Sequence, residues 1–202
     1  MEPTFKEPVN RVMILQYLID YFKLNSYLEI GVQGKFCWNQ IKCDNKVGVE
    51  PCGDFTDHNI YKMNSDEFFK INNSKFDLIF IDGDHNEPQV TRDINNSLKR
   101  LNSKGLIVMH DAFPPEERFT EALRCGTVFK SIWAARCAYN LDILTYTGDF
   151  GVAVMKPNNK SPKYNGNVGN YHQYISASSD LLNACDYYED FKEKCSGLFK
   201  DH

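Results

Sequence analysis

Residues 75–114, KFDLIFIDGDHNEPQVTRDINNSLKRLNSKGLIVMHDAFP, decide the fold of this 202-residue chain. The stretch contains two apolar runs, 76–81 and 106–109, and each run is followed directly by acidic residues and a histidine. Four apolar residues between the runs recur every three or four positions: Val90, Ile94, Leu98 and Leu101. This spacing predicts an amphipathic helix between two short buried strands.

Strand, helix and strand in this order predict a βαβ unit, whose two strands are parallel. Parallel strands end at the same edge of a sheet, and open α/β sheets bind their ligands at that edge. Asp82, Asp84 and His85 follow the first run, and His110 and Asp111 follow the second. We therefore expect carboxylates and two imidazoles to meet in one site.

The flanking sequence extends this unit into a single domain over residues 1–202. Its expected parts are an N-terminal helix at 8–24, a core of alternating strands and helices at 27–156, and a loop with C-terminal helices at 157–202. Gly148-Asp149 lies between two apolar runs and predicts a late antiparallel hairpin. The predicted fold is an α/β doubly wound sheet with helices on both faces, parallel except for one late strand.

Local signals predict three helix boundaries. Ser65 is the expected N-cap of a helix at 65–71, because its side chain can accept a hydrogen bond from a free backbone N–H. Gly126 is expected to interrupt a helix at 116–139. Leu101 fits the apolar spacing of the central helix.

Composition excludes several classes of protein. The formal net charge of −4 gives no overall basic bias, so nucleic acid is not an expected partner. No apolar run approaches the length that spans a bilayer, and the first residues lack the apolar stretch of a signal peptide. The 7 cysteines include no CxxC pair and are typical of reduced thiols. We expect a cytoplasmic protein without membrane contact.

A short glycine turn follows the first predicted strand. Gly31 and Gly34 lie where that strand turns into a helix, and Glu50 ends the next strand. Glycine lets the backbone approach a ligand, and an acidic strand end can accept hydrogen bonds from both ribose hydroxyls of an adenosine. Tight packing between strand and helix is the alternative explanation of the two glycines.

Two classes of adenosine ligand compete for this turn. The dinucleotide fingerprint G-x-G-x-x-G fails, because its later glycines are replaced by Gln33 and Phe36. Glu29 would repel a pyrophosphate, whereas it would suit a ligand with an ammonium or sulfonium group. A dehydrogenase is therefore disfavoured.

Four segments resemble class I S-adenosylmethionine-dependent O-methyltransferases, in particular the subgroup of macrocin and catechol O-methyltransferases. They are YLEIGVQGKF, VGVEP, FDLIFIDGDHNEPQVTRDI and KGLIVMHDAF, and the resemblance covers residues 27–155. It implies a Rossmann-like seven-stranded sheet of order 3-2-1-4-5-7-6 with strand 7 antiparallel. It also implies S-adenosyl-L-methionine as the cofactor. The implied cofactor-binding residues are Glu29, Gly31, Gln33, Gly34, Glu50, Ser65, Asp66 and Asp82.

Within that set, the resemblance places the Gly31 turn along the methionine moiety and Glu50 on the ribose. Ser65 and Asp66 would lie by the adenine. A divalent metal, Mg²⁺ or Mn²⁺, would be held by three further matched residues: Asp82, His110 and Asp111. His110 departs from the oxygen ligand usual at this point in the family, and Mn²⁺ or Zn²⁺ tolerates an imidazole better than Mg²⁺ does.

Methyl transfer from a sulfonium to an alcohol requires removal of the alcohol proton, and positioning supplies much of the remaining rate. His85 matches the general base of these relatives, and an imidazole accepts a proton near neutral pH. Asp84 would orient His85 or act as the base itself, and His110 is the third catalytic candidate. In the alternative interpretation, Asp84 and His85 cap the following helix and His110 only bonds to a neighbouring carboxylate.

A sugar hydroxyl is the expected acceptor. The subgroup with a GTVFK segment and an FGV hairpin, both present here, accompanies glycan-building genes or is fused to glycosyltransferase domains. The methyltransferase domain of a large algal-virus protein that builds the capsid glycan fits this resemblance, with rhamnose as the acceptor. The candidate sugar-contacting residues are Phe113, Arg118, Phe129, Lys130 and Trp133. An amphipathic core stripe is the alternative for Phe129 and Trp133.

Two other functions stay open at this point. One is a small-molecule or phenolic O-methyltransferase of the same fold, and the other is a catalytically inactive domain that binds an adenosine ligand. Methyl transfer to a candidate acceptor distinguishes them. We expect either a monomer or a homodimer.

Overall fold

The computed structural model describes residues 8–199, in which eight strands form one sheet between two layers of helices. The strands are β1 Ser26–Ile30, β2 Asn45–Val49, β3 Ile60–Tyr61, β4 Phe76–Ile81, β5 Leu101–Met109, β6 Leu141–Tyr146, β7 Val152–Pro157 and β8 Ala184–Cys185. The α-helices are α1 Arg11–Phe22, α2 Phe36–Gln40, α3 Ser65–Ile71, α4 Glu87–Arg100, α5 Val128–Ala138, α6 Tyr171–Ser176, α7 Ser178–Leu182 and α8 Tyr188–Leu198. Short 3₁₀ turns lie at Gln33–Lys35 and Glu117–Thr120.

The strand order β3-β2-β1-β4-β5-β7-β6-β8 confirms the predicted α/β sheet, with β7 antiparallel to both of its neighbours. The predicted count of seven strands is wrong, because β8 pairs in parallel with β6 as an eighth. This strand has two residues and follows Asn183, which has a left-handed backbone (φ 48°). A two-residue strand is too short to produce an alternating pattern in the sequence.

The register of the central strands brings the predicted site together. Ile30 is paired with both Val49 and Ile81, and Ile81 is paired with Met109. These four residues end β1, β2, β4 and β5 at one level of the sheet. The residues that follow them therefore lie side by side at one edge: Gly31, Glu50, Asp82 and His110.

Alternating residues of β4 face the two helical layers. Leu78 and Phe80 belong to a core cluster with α1 and α8, whereas Ile79 and Ile81 belong to a cluster with α3, α4 and α5. All four side chains are buried. The long α4 covers the second face, as the spacing within 75–114 predicts.

Three predicted boundaries have different outcomes. Ser65 is not the N-cap of α3, because Asn64 caps this helix by accepting a hydrogen bond from the backbone N–H of Glu67. The predicted helix at 116–139 is wrong before Gly126, where only the 3₁₀ turn Glu117–Thr120 forms; Gly126 has φ +57°, and α5 begins two residues later. Leu101 does not belong to α4, because its extended backbone begins β5.

Among residues 8–199, no helix is both long and apolar enough to cross a membrane. All seven cysteines lie in this part of the chain and are free thiols.

Candidate active site

A cleft of about 310 Å³ opens at the sheet edge where β1, β2 and β4 end. Six of the residues that the sequence assigns to a site line it: Gly31, Gln33, Glu50, Ser65, Asp82 and Asp84. The remaining lining residues include three with polar side chains that the sequence did not single out: Asn64, Gln89 and Asp93. The cleft runs from the ends of β1 and β4, past the end of β2, to the first turns of α3 and α4.

Gly31 allows the ends of β1 and β4 to approach closely. Its backbone N–H donates to the Val49 carbonyl oxygen (2.9 Å), and the Asp82 N–H donates to the Ile30 carbonyl oxygen (2.8 Å). Gly31 has φ +93°, and a Cβ atom there would lie 2.2 Å from the backbone oxygen of Asp82. Only glycine therefore fits this turn.

Glu50 presents a buried carboxylate to the middle of the cleft. One oxygen accepts the backbone N–H of Gln33 (3.0 Å), and the other accepts that of Cys52 (2.9 Å). Each carboxylate oxygen can accept a further hydrogen bond. These two contacts fix the carboxylate in a position where a vicinal diol could donate to it.

Three predicted cofactor residues lie outside the cleft lining. Glu29 is buried, accepts the Tyr27 hydroxyl (2.9 Å), and has its pKa raised to about 7 by burial. Gly34 lies in the 3₁₀ turn with open space around it. Asp66 forms an ion pair with Arg92 (2.9 Å) on the surface of α3 and α4.

A group of charged residues, called the acid cluster below, lies beside the cleft. It consists of Arg11, Asp82, His110, Asp111 and Asp149. His110 Nδ1 lies 3.1 Å from Asp82 Oδ1 and 3.1 Å from Asp111 Oδ2, and His110 Nε2 lies 3.6 Å from Asp149 Oδ1. Arg11 Nε lies 3.3 Å from Asp82 Oδ2, and Arg11 Nη1 lies 3.3 Å from Asp149 Oδ2. Asp82 therefore belongs both to the cleft and to the acid cluster.

The charges in the acid cluster shift one another's ionisation. Burial alone would lower the pKa of His110, but hydrogen bonds to Asp111, Asp149 and Asp82 raise it to about 11. Burial would raise the pKa of Asp149, but hydrogen bonds from His110 and the Arg11 backbone lower it to about 2. Three acidic and two basic side chains thus lie together, and this excess of acidic groups suits a cationic ligand in the neighbouring cleft.

Sequence reasoning missed Arg11 and Asp149. Arg11 is the first residue of α1, and its backbone N–H donates to Asp149 Oδ2 (2.7 Å) across 138 positions. The sequence pattern assigned Asp149 to the hairpin turn, and this structural role gave no reason to assign it a functional one. It has a left-handed backbone (φ 50°), as does Asp111 (φ 56°). Such strained acidic residues are a known mark of functional sites, but φ is not readable from sequence.

His85 faces the acid cluster from the start of α4. Its Nε2 lies 3.2 Å from Asp111 Oδ2 and 3.9 Å from Asp82 Oδ1. Its Nδ1 is hydrogen-bonded to the backbone oxygen of Arg124, and its own backbone oxygen accepts the N–H of Thr127 (2.8 Å). Because a carbonyl oxygen only accepts, Nδ1 is the donor in this bond, and Nε2 faces the Asp111 carboxylate at the edge of the acid cluster.

Asp84 does not cap α4, because the N-cap is Asn86, whose side chain makes no capping hydrogen bond; Asp84 Oδ1 instead accepts the Asn86 backbone N–H (2.9 Å) just before this helix. Its place in the cleft lining keeps it a candidate for orienting a ligand.

The donor atoms of Asp82, His85 and Asp111 lie within 4.8 Å of one another, which suits a metal ion. The third residue of this group is His85, whereas the sequence assigned His110. His110 Nδ1 must keep its proton to donate to the two carboxylates, so it is not free to bind a metal. The geometry therefore favours a metal site made of Asp82 and Asp111, with or without His85. The ligand set of Asp82, His110 and Asp111 stays a prediction.

Two aromatic rings lie on the open side of the acid cluster. The Phe150 ring centroid is 6.3 Å from that of His110 and 5.7 Å from that of Phe119. The predicted stacking residues Phe129 and Trp133 are instead buried in the core, as their alternative interpretation stated. Phe150, whose exposed fraction is 43%, is therefore the accessible ring beside the acid cluster.

Comparison by sequence finds one family and no curated relative. Residues 39–112, less than half of the chain, match a family described as "Methyltransferase domain". No curated protein matches the chain. The matched segment contains Glu50, Asp82, His85, His110 and Asp111.

Comparison by structure finds O-methyltransferases. A Staphylococcus aureus protein described as a candidate caffeoyl-CoA O-methyltransferase has a TM-score of 0.58 and 16% identity, covering 74% of this chain and 85% of that chain. The O-methyltransferase of tomaymycin synthesis from Streptomyces achromogenes, in complex with S-adenosylmethionine, has a TM-score of 0.53 and 14% identity, covering 73% and 79%. The mycinamycin-pathway methyltransferase MycE, in complex with Mg, S-adenosylhomocysteine and mycinamycin VI, has a TM-score of 0.50 and 16% identity, covering 78% and 50%. These likenesses confirm the predicted fold class, and together with the family match they support the predicted class of enzyme.

Proposed function

We propose that this chain is an S-adenosyl-L-methionine-dependent O-methyltransferase that methylates a sugar hydroxyl. The observation that carries the proposal is the position of Asp82, which lines the cleft and also forms part of the acid cluster. A cofactor in the cleft would thereby place its sulfonium next to the side chains that activate the acceptor. The match to a methyltransferase domain and the cofactor complexes of the structural relatives support the same cofactor.

In this function each part of the site has a separate task. Glu50 accepts the ribose hydroxyls, and the surplus negative charge of the acid cluster stabilises the sulfonium until the methyl group leaves. His85 Nε2 takes the proton of the acceptor hydroxyl as general base, because its Nδ1–H is fixed on the Arg124 carbonyl oxygen. The hydroxyl oxygen then attacks the methyl carbon in line with the carbon–sulfur bond, which breaks as the new bond forms.

A divalent cation would be held by Asp82 and Asp111, whose carboxylate oxygens lie within 4.8 Å of each other. When bound, it would lower the pKa of a coordinated acceptor hydroxyl. His85 Nε2 cannot serve as base and ligand at once, so in this proposal it is the base. Arg11 and His110 remain the cations that hold the carboxylates in place.

A small-molecule acceptor is the second candidate. The relatives above include O-methyltransferases of small-molecule pathways, and the Phe119–Phe150 pair offers an apolar face to a planar ring. A sugar with one apolar face fits the same rings. Transfer of a labelled methyl group to rhamnosides and to catechols, tested in parallel, separates the two candidates. Absence of transfer to both, with cofactor binding retained, would favour a binding domain without catalysis.

Replacing Glu50 by Gln should weaken binding of S-adenosylhomocysteine. The variant loses the charge and one acceptor oxygen, and hydrogen bonds to charged groups contribute roughly 1.5–3 kcal/mol each. We expect affinity to fall by about tenfold or more in isothermal titration calorimetry. Asp66→Asn is the matched control, because Asp66 lies outside the cleft lining and pairs with Arg92. Equal affinities of the Glu50→Gln variant and the wild type would remove Glu50 from the ribose site.

Chelation should test the cation. If Asp82 and Asp111 hold a required divalent ion, excess EDTA will abolish methyl transfer, and added Mg²⁺ or Mn²⁺ will restore it. We expect this result, with S-adenosylhomocysteine binding unchanged by EDTA because Glu50 and Gly31 do not take part in the metal site. Undiminished turnover in EDTA would show that His85 and the acid cluster suffice.

A further inference from the structure

Asp93 is the most deeply buried acidic residue of the cleft lining and has an unused acceptor. Its side chain is 1% exposed, and it lies on α4 facing α3. Asp93 Oδ1 accepts the Ser65 hydroxyl and the Gln89 side-chain N–H (3.1 Å). Asp93 Oδ2 is buried and has no hydrogen-bond partner within residues 8–199. A buried acceptor without a donor is costly, so this atom requires an explanation.

The order of residues along the cleft indicates what could reach this end. The lining has three groups: Gly31 against Asp82 where β1 and β4 end, Glu50 where β2 ends, and the hydrogen-bonded Ser65, Gln89 and Asp93 between α3 and α4. With the sulfonium at Asp82 and the ribose at Glu50, the purine base must extend towards α3 and α4. This placement rests on the function proposed above.

We propose that Asp93, positioned by Ser65 and Gln89, recognises the exocyclic amino group of the adenine. The amino group has two N–H donors and would supply the donor that Oδ2 lacks. A 6-oxo purine presents an acceptor at the same position and would leave two acceptors facing each other. Asp93 therefore selects adenosine over inosine ligands, whereas the sequence resemblance placed only Ser65 and Asp66 by the adenine.

Asp66 does not compete for this role in the structure. Its carboxylate accepts Arg92 Nε at 2.9 Å, and the residue is absent from the cleft lining. Burial raises the pKa of Asp93 to about 6, in spite of the hydrogen bonds from Ser65 and Gln89. An amino donor at Oδ2 would stabilise the charged form.

A ligand pair tests the proposal. Calorimetry on the full chain would compare S-adenosylhomocysteine with S-inosylhomocysteine, in the wild type and in Asp93→Asn. Asn keeps an oxygen for Ser65 and replaces Oδ2 by an amide donor, so the size of the side chain hardly changes. We expect the wild type to prefer the adenosine ligand by roughly 10²-fold or more, and the preference to shrink by about tenfold or more in the variant.

A general effect of the substitution on folding would lower both affinities alike, so it cancels in the ratio of the affinities for S-adenosylhomocysteine and S-inosylhomocysteine. Asp66→Asn is the matched control and should keep the wild-type ratio. An unchanged ratio in Asp93→Asn would overturn the proposal and leave Oδ2 to a buried water, which Ser97 Oγ, also without a partner, could share. A change confined to Asp66→Asn would also overturn it. Failure of the wild type to bind S-adenosylhomocysteine would instead overturn the proposed function itself.

Discussion

Replacing His85 by Ala is expected to lower kcat by about 10²–10⁴-fold, the usual contribution of a positioned base. The imidazole is held on both sides, by the Arg124 carbonyl oxygen at Nδ1 and by Asp111 (3.2 Å) at Nε2. The direction of the ring is therefore fixed, with Nε2 towards the acid cluster. Affinity for S-adenosylhomocysteine should hardly change, because His85 is not part of the cleft lining. Single-turnover methyl transfer and calorimetry give the two readouts.

Two comparisons make this result specific. His58→Ala removes an exposed histidine and should leave kcat unchanged. The concentration of Mg²⁺ or Mn²⁺ needed for half-maximal activity should be the same in His85→Ala and the wild type, since Asp82 and Asp111 remain. A large rise in that concentration would make His85 a metal ligand, and near-normal kcat would transfer the role of base to Asp84.

Gly31→Ala is expected to destabilise the fold by roughly 2–5 kcal/mol, the sum of left-handed strain and overpacking. The new Cβ would lie 2.2 Å from the backbone oxygen of Asp82, and neither backbone can move without separating β1 from β4. Because these strand ends form the cleft, affinity for S-adenosylhomocysteine should fall as well. Urea unfolding monitored by circular dichroism measures the first effect, and calorimetry measures the second.

Gly34→Ala is the matched control, three residues along the same turn. Gly34 has φ +71°, but a Cβ there would have nothing within 4 Å. Only the backbone strain remains, which costs about 1 kcal/mol. Similar losses of stability in the two variants would mean that the close approach of Gly31 to Asp82 contributes little.

The sheet was predictable because its signals are local. The apolar runs, the spacing within α4 and the glycine hairpin each depend on a few adjacent residues, and the parallel βαβ rule then places Asp82 beside His110. The two-residue β8 was not predictable from its own sequence. It is a strand because it pairs with β6, which is distant in the chain.

The candidate site was predictable only in part, for a similar reason. Glu50, Asp82 and His85 follow strand ends, whose position the fold class dictates. The ionic contacts of Arg11 and Asp149 depend on long-range packing of α1 against the hairpin turn. The same limit applies to Asp93, because its buried contact with Ser65 joins two helices that are distant in the sequence.

The contact of Arg11 with Asp149 bears on how such proteins diversify. The segment 39–112 carries Glu50, Asp82 and most of the acid cluster, while Arg11 and Asp149 lie on either side of it, 138 positions apart. Exchange of the N-terminal helix or of the hairpin could therefore alter the electrostatics around the acceptor without touching a residue of that segment. The acceptor can then change in evolution while the cofactor stays the same. Proteins that share this segment can therefore differ in the alcohol that they methylate.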